Sequence, residues 1–172
     1  PGMKTAQVQA IFGPLRTEQV AILREIANRP QVKNDFLFQT YDPQKQWDFC
    51  VEVATRLGYD WEHGRLDKSA HPFTSSFGME DVRLTTRVHP DNLVSALFGT
   101  IHEAGHGLYD LGVNPAYGRT LLEGGASMAV HESQSRMWEN LVGRSYPFWE
   151  FFYPRLQSYF PEQLGNVDLP DF

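Results

Sequence analysis

The fold of this chain is decided by the segment 90–112, which reads PDNLVSALFGTIHEAGHGLYDLG. Pro90 favours a first helical turn, with His89 or Asp91 as its cap, and Gly112 marks the end. Between them apolar residues recur every three or four positions: Leu93, Val94, Leu97, Phe98, Ile101, Ala104 and Leu108. That spacing is typical of a helix with one buried side. The segment therefore predicts a long, largely buried helix.

The same helix carries the pattern H-E-x-x-H at residues 102–106. Residues four apart project from one side of a helix, so the imidazoles of His102 and His106 can bind one zinc ion. In this pattern Glu103 faces the water at the metal and acts as general base. The alternative is a solvated face on which the histidines have no role. Gly105 and Gly107 argue against it, because each costs about 1 kcal/mol in a helix and indicates close packing.

A catalytic zinc needs a third protein ligand. Metzincins carry a glycine and a histidine three and six residues after H-E-x-x-H, but this chain has Tyr109 and Gly112 there. The remaining option is a carboxylate on a following helix, for which Glu123 and Glu132 both qualify. Glu132 is favoured because it lies in a polar run of a helix, whereas Glu123 precedes two glycines. The alternative role for Glu132 is an i,i+4 pair with Arg136.

The rest of the chain predicts a mainly α fold, a helical zincin-like core with a small β element beside the H-E-x-x-H helix. The strand, at about 81–88, follows from alternating apolar and polar residues. Residues 59–76 lack a helical period. Further helices are predicted at 17–28 with Thr17 as cap, at 43–57 with Asp42 as cap, at 128–141, and at 146–160 with an interruption at Pro154.

Composition excludes several classes of protein. The chain has 172 residues, a formal net charge of −6 and a 41% hydrophobic content. This acidic balance argues against nucleic acid as a partner. No apolar stretch approaches the roughly 18 residues that cross a membrane, and no leader resembles a signal peptide. The single cysteine, Cys50, excludes an internal disulfide and fits a reducing compartment; we expect a buried core thiol rather than a nucleophile.

The chain is predicted to be a single partial domain, residues 1–172, the catalytic-core fragment of a longer protein. Pro1 and Gly2 before Met3 resemble the scar of an engineered protease site at residues 1–3. The last residues, 166–172, carry no helix cap or closing element. Both ends therefore indicate a piece of a larger chain.

Four linked motifs give a family resemblance. They are His71-Pro72-Phe73, Asp81-Val82-Arg83-Leu84-Thr85, His102-Glu103-Ala104-Gly105-His106 and His131-Glu132-Ser133-Gln134. In this order, over about 59–144, the chain resembles the thermostable Taq-type zinc metallocarboxypeptidases. The resemblance implies Zn²⁺, with Co²⁺ as an alternative, held by His102, His106 and Glu132, and Glu103 as general base. It also implies removal of C-terminal residues from peptides, a cytoplasmic location and a homodimer.

The chain departs from that family in length. Family members are about three times longer, and two later motifs that supply substrate-binding groups lie beyond Phe172. We therefore expect the catalytic core of a metallocarboxypeptidase, with weak activity in this chain alone. The alternatives are a truncated zinc-binding fragment, or an endopeptidase or aminopeptidase with the same metal site.

Three more residues are candidates for substrate binding or for support of the metal ligands. His71 precedes Pro72 and could orient a ligand, or it could make an ordinary structural hydrogen bond. Arg83 could line the substrate groove, or it could pair with Asp81. His131 could orient a ligand, since His102 and His106 already supply the nitrogen donors.

Overall fold

The structure is a computed structural model that describes residues 2–172. Pro1, part of the predicted scar, lies outside the described residues. The chain divides into two compact units, residues 1–33 and 34–172, which are described separately. Among residues 2–172, no helix has the length and apolar character needed to cross a membrane.

In the first unit, residues 2–33 contain one helix, α1 (Thr5–Ala27). The sequence placed its start at Thr17, and this prediction was wrong. Thr17 lies inside the helix, where its hydroxyl donates to the carbonyl of Gly13 at 3.2 Å. Pro14 also lies inside, although it removes one backbone donor. The side-chain oxygen of Gln7 caps the true start by accepting from the backbone N–H of Lys4 at 2.9 Å.

The second unit is mainly helical, as predicted, with a small sheet that packs against α3. Its helices are α2 (Pro43–Leu57), α3 (Leu93–Leu111), α4 (Met128–Arg136), α5 (Tyr146–Tyr159) and α6 (Pro161–Leu164). A π-helical segment, Met137–Val142, continues α4, and short 3-10 turns lie at Asp35–Phe38 and Pro115–Tyr117.

Capping residues explain where these helices begin and end. Asp42 caps α2 as predicted, accepting from the backbone N–H groups of Gln44 and Lys45. Gly58 ends α2 in the left-handed conformation, with φ of 97°. At α3 the cap is neither His89 nor Asp91, as predicted, but Asn92, because its side chain accepts from Ser95 N at 3.0 Å. These local contacts set the position of the H-E-x-x-H helix.

Proline does not interrupt α5, contrary to the prediction. Pro154 lies within the continuous helix Tyr146–Tyr159. Its missing N–H costs one backbone hydrogen bond. The helix persists because one of its sides is buried in the core through Phe148, Trp149, Phe152, Tyr153 and Leu156.

The sheet has three strands in the order β1-β3-β2: β1 (Gly64–Lys68), β2 (Thr74–Ser76) and β3 (Val82–Thr86). Strand β3 is the one predicted at about 81–88. It pairs parallel with β1, with Leu66 opposite Leu84, and antiparallel with β2, with Thr74 opposite Leu84. The sequence missed β1 and β2, because both are short and lie in a polar stretch. Strand β2 brings Thr74 to the H-E-x-x-H helix.

Two hydrophobic clusters hold α3 in place. The larger joins α2, α3 and α5 through Phe49, Val53, Leu97, Ile101, Phe152 and Leu156, among others. It also contains Cys50, whose predicted burial is confirmed; burial raises the pKa of this thiol to about 12. The smaller cluster joins α2 and α3 to the sheet through Ala54, Tyr59, Leu66, Leu84 and Ala104. Helix α3 is thus fixed from both sides.

Candidate metal centre

The two histidines of the H-E-x-x-H pattern lie on one side of α3, as their spacing predicts. Their ring centroids are 5.0 Å apart. Both side chains are mostly covered, with 18% of His102 and 15% of His106 exposed. Their Nε2 atoms face the same carboxylate, that of Glu132. His102 Nε2 lies 3.5 Å and His106 Nε2 lies 3.4 Å from Glu132 Oε2.

These three side chains have the arrangement that a tetrahedral metal needs. One ligand atom from each of His102, His106 and Glu132 lies within 4.8 Å of the others. Ligand atoms bonded to a tetrahedral zinc at about 2 Å are separated by about 3.3 Å, close to the histidine–carboxylate distances. Two imidazoles and a carboxylate also suit a divalent zinc-type ion chemically. The residues therefore fit such an ion.

Glu123, the other candidate for third ligand, is used elsewhere. Its Oε1 accepts from the backbone N–H of Met79 at 3.4 Å, and its other oxygen accepts from the N–H of Arg119. These bonds hold the loop before α4. Glu123 is not brought together with the two histidines.

Gly105 explains how α4 comes close enough to supply Glu132. A side-chain carbon at this position would lie 2.7 Å from Ser135 Cα and 3.0 Å from the carbonyl oxygen of Gln134. Real side-chain carbons do not approach backbone that closely, so α3 and α4 can cross here only because residue 105 is glycine. The small residues in the H-E-x-x-H pattern thus allow the close backbone packing expected from the sequence.

Glu132 also makes the ion pair that was its alternative reading. Its Oε1 accepts from Arg136 Nε at 2.9 Å, while Oε2 accepts from the hydroxyl of Ser135 at 3.1 Å. Burial opposes ionisation, but the bonds from Arg136 and Ser135 keep the pKa of Glu132 below its usual value. The two roles are compatible, because Oε1 binds the arginine and Oε2 faces the histidines.

Glu103 points from α3 toward strand β2. It is buried, with 7% of its surface exposed. The hydroxyl of Thr74 lies 2.7 Å from its Oε2 and donates to it. Burial raises the pKa of Glu103, and the hydrogen bond from Thr74 partly opposes this. A carboxylate with a raised pKa is a better proton acceptor at neutral pH.

Behind His102 stands a carboxylate that the sequence reasoning missed. Glu139 Oε2 lies 2.9 Å from His102 Nδ1, and Glu139 also accepts from Arg136 and Arg144. Burial works against its charge, but the bonds from His102 and Arg144 keep the pKa of Glu139 below the usual value. The available signal was its position seven residues after Glu132, on the same helical face.

Two side chains, His131 and Asp110, form a line of hydrogen bonds behind His106. His131 Nδ1 is 2.9 Å from His106 Nδ1, and His131 Nε2 is 3.0 Å from Asp110 Oδ1. Burial, followed by the neighbouring His102 and His131, lowers the pKa of His106. His131 was a candidate from the sequence, whereas Asp110 was missed. The signal for Asp110 was its position four residues after His106 on α3.

The two remaining candidates lie in different places. His71 lines a cavity of about 380 Å³ beside the centre, together with Phe73, Glu103 and His106. Arg83 makes two hydrogen bonds to Asp81, both 2.7 Å long, on the exposed side of β3. The contact of Arg83 is therefore the ion pair considered as its alternative role.

Comparison with known proteins identifies one family. A family model described as carboxypeptidase Taq (M32) metallopeptidase matches residues 1–172. Thermostable carboxypeptidase 1 of Thermus thermophilus is 42% identical over 173 residues, covering 100% of this chain and 34% of that protein. Carboxypeptidase 1 of Bacillus subtilis is 35% identical over 175 residues, covering 100% of this chain and 34% of that protein. The solved M32 carboxypeptidase of Deinococcus radiodurans R1 is similar with a TM-score of 0.92 and 42% identity, over 99% of this chain and 34% of that one.

The family model matches the whole chain, whereas the four motifs of the resemblance span only about 59–144. The chain covers about a third of the length of these curated relatives. A metallopeptidase family implies a divalent metal, and His102, His106 and Glu132 form a candidate site for one. The family match over the whole sequence, the high structural similarity and the chemistry of this site agree with one another. The chain belongs to the carboxypeptidase Taq (M32) metallopeptidase family.

Proposed function

We propose that this chain forms the catalytic metal core of a zinc metallocarboxypeptidase. His102, His106 and Glu132 would hold Zn²⁺, with Co²⁺ as an alternative ion, and Glu103 would be the general base. One observation carries the proposal: two imidazole nitrogens and one carboxylate oxygen converge within 4.8 Å of one another. Glu103 lies next to this group but is not a member of it.

The chemistry divides between the ion and the protein. When bound, zinc polarises the peptide carbonyl and acidifies a water molecule. Glu103 accepts the proton of the attacking water and then transfers it to the amine that leaves. Its burial and its bond to Thr74 suit this role, because they hold the carboxylate in one orientation. Glu139 and His131 hold the two imidazoles in orientation.

The substrate would be a peptide with a free C-terminus. A terminal carboxylate is best bound by an arginine, whose planar group makes two parallel hydrogen bonds. The arginines in the network around the centre are engaged: Arg136 with Glu132 and Glu139, and Arg144 with Glu139. This favours a second candidate, a zinc-binding fragment with little hydrolysis of its own. An endopeptidase or aminopeptidase activity remains the alternative for the longer protein.

Metal binding tests the first part of the proposal. Metal-free protein is titrated with Zn²⁺ against a chromophoric chelator, and the bound metal is counted. We expect one zinc per chain and loss of binding in His106→Ala and Glu132→Ala. His63→Ala, at an exposed histidine paired with Asp60, is the control and should bind zinc normally. Undiminished zinc in His106→Ala would refute the ligand assignment.

Peptide assays test the second part. One peptide is offered with free ends, with an amidated C-terminus or with an acetylated N-terminus. A carboxypeptidase releases the last amino acid from the first and third only, and a chelator abolishes release. Cleavage of the amidated peptide would favour an endopeptidase or aminopeptidase. Zinc binding without any release would favour the fragment without activity.

The location and assembly are part of the proposal. The single, buried Cys50 fits a reducing cytoplasm. The homodimer that the resemblance implies stays a prediction, as does the absence of nucleic acid and membrane partners.

A further inference from the structure

Asp110, His131 and His106 form a line of hydrogen bonds that ends at the candidate metal centre. Asp110 Oδ1 lies 3.0 Å from His131 Nε2, and His131 Nδ1 lies 2.9 Å from His106 Nδ1. The far nitrogen of His106, Nε2, faces Glu132 Oε2 at 3.4 Å. Each of the two imidazoles therefore has one neighbour at Nδ1 and a different one at Nε2.

The carboxylate of Asp110 determines which ring nitrogens of His131 and His106 carry protons. A carboxylate only accepts hydrogen bonds, so His131 Nε2 must carry a proton toward Asp110. A neutral imidazole has one N–H, so His131 Nδ1 is then an acceptor. The proton between the two histidines must therefore sit on His106 Nδ1. That leaves the lone pair of His106 on Nε2, the nitrogen that faces His102 and Glu132.

The packing around His131 prevents the ring from turning away. Tyr109 meets it edge-on, with ring centroids 4.9 Å apart and planes at 86°. Tyr109 is itself held, because its hydroxyl accepts from the backbone N–H of Ala126 at 3.1 Å. Gly125 also lies against the ring, since a side-chain carbon at this position would be 2.5 Å from His131 Cδ2. Asp110 is buried, with 8% of its surface exposed.

We propose that Asp110 and His131 are positioning residues that fix the tautomer of His106 and so present its Nε2 to the metal. This inference rests on the proposed function, because it assumes that His106 is a ligand. The two histidines differ in their support. Glu139 contacts His102 directly at 2.9 Å, whereas Asp110 is connected to His106 only through the imidazole of His131.

The test is zinc affinity, measured by competition with a chelator, in four variants of the full 172-residue chain. His131→Phe keeps a ring of similar size but removes both nitrogens. Asp110→Asn keeps the shape, but an amide can donate or accept, so it no longer selects one tautomer of His131. Loss of such supporting partners typically lowers metal affinity 10–100-fold. We expect that loss in both variants.

Two further variants separate positioning from packing. In His131→Asn the amide oxygen can stand near the former Nδ1 and accept from His106 Nδ1, so affinity should recover relative to His131→Phe. Because Asp110 acts through His131, adding Asp110→Asn to His131→Phe should cause no further loss of affinity. Additive losses in the double variant would overturn the inference. The thermal midpoint of each metal-free variant identifies changes that merely unfold the protein.

The control is another aspartate–histidine pair. Asp60→Asn alters the exposed pair in which Asp60 Oδ2 lies 2.6 Å from His63 Nδ1, and it should leave zinc affinity unchanged. If the unaltered protein binds no zinc, or His106→Ala binds it normally, the proposed function fails. If zinc binds through His106 but Asp110→Asn and His131→Phe bind it as the unaltered protein does, only this inference fails.

Nitrogen-15 NMR of the imidazole rings gives a readout that does not depend on metal. In the metal-free protein we expect the proton of His106 on Nδ1 and that of His131 on Nε2. Asp110→Asn should produce a mixture of tautomers. A single Nε2–H tautomer of His106 in the unaltered protein would overturn the inference whatever the affinities show.

Discussion

Gly105 lies against Ser135 so closely that a side-chain carbon on Gly105 would be 2.7 Å from Ser135 Cα. Gly105 belongs to the H-E-x-x-H helix α3, and Ser135 lies three residues after Glu132 on α4. This contact sets how near the carboxylate of Glu132 comes to the two histidines. It therefore links the packing of two helices to the geometry of the candidate metal centre.

Gly105→Ala should push α3 and α4 apart. Overpacking of this kind costs about 1–3 kcal/mol, and the displaced Glu132 should weaken zinc binding as well. Unfolding of the metal-free protein and zinc titration measure the two effects. Gly13→Ala is the matched control, because position 13 of α1 has open space around it and alanine favours a helix by up to about 1 kcal/mol. If the two variants had the same free energy of unfolding and the same zinc affinity, the contact at Gly105 would be unimportant.

Glu103→Gln should separate metal binding from catalysis. Glutamine keeps the size of the side chain and can still accept from Thr74, but it cannot take up a proton at neutral pH. Zinc affinity should stay within a few-fold of the unaltered protein. Hydrolysis, in this chain or in a longer relative with the same change, should fall about 10²–10⁴-fold. Near-normal turnover would exclude Glu103 as the base, and loss of zinc would indicate that it is a ligand.

Glu139→Ala should weaken zinc binding more than Glu139→Gln. Alanine removes the acceptor 2.9 Å from His102 Nδ1 and leaves Arg136 and Arg144 without their shared partner. Glutamine keeps an oxygen that can accept from His102. We expect a loss of affinity of about 10–100-fold for alanine and a smaller one for glutamine. Equal losses would mean that the charge of Glu139, rather than its acceptor, supports the site.

Asp42 should make stability depend on pH through its cap of α2. The backbone N–H groups of Lys45 and Gln44 lower the pKa of Asp42 below its ordinary value of 3.8. Because the pKa is lower in the folded state, the charged cap stabilises the fold at pH values above the ordinary pKa. This stabilisation is lost as the pH falls through the folded-state pKa. Asp42→Ala should therefore lower the thermal midpoint at pH 7, and the difference should shrink toward pH 3.

The control for that prediction is Asp91→Ala. Asp91 is an exposed aspartate just before α3, where the neighbouring Asn92 provides the cap. Its removal should change the thermal midpoint little at either pH. A pH-independent effect of Asp42→Ala would show that its contribution is not that of a charged cap.

The prediction of the helices succeeded at both ends of α2 and at the end of α3. Helix α2 begins after Asp42 and ends before Gly58, and α3 ends at Leu111 before Gly112, as expected. The prediction failed at Thr17 and Pro154, where a local signal for a start or a break was overruled. At Pro154 the reason is visible: the buried aromatic face of α5 outweighs one missing hydrogen bond.

The sequence predicted that His102, His106 and Glu132 lie together, but it missed several of the side chains that support them and Glu103. His102 and His106 share a face because four residues make about one helical turn. Thr74, Asp110 and Glu139 were missed, although each contacts Glu103, His131 or His102 directly. Strand β2, which carries Thr74, has only three residues and no clear alternation. Nothing in so short a polar segment indicates which helix it will touch.

By itself the sequence determined the mainly helical class, the helix that carries His102, Glu103 and His106, and the family resemblance. The class and the helix depend on short-range spacing, and the resemblance depends on the residues of four short motifs. The sequence only favoured Glu132 over Glu123, and the tertiary structure decided that Glu132 faces the histidines and that Glu139 and Asp110 stand behind them. Those contacts join segments far apart in the chain, so they depend on how α3 packs against α4 and the π-helical segment that continues it. The missing side chain of Gly105 lets the first two of these elements meet.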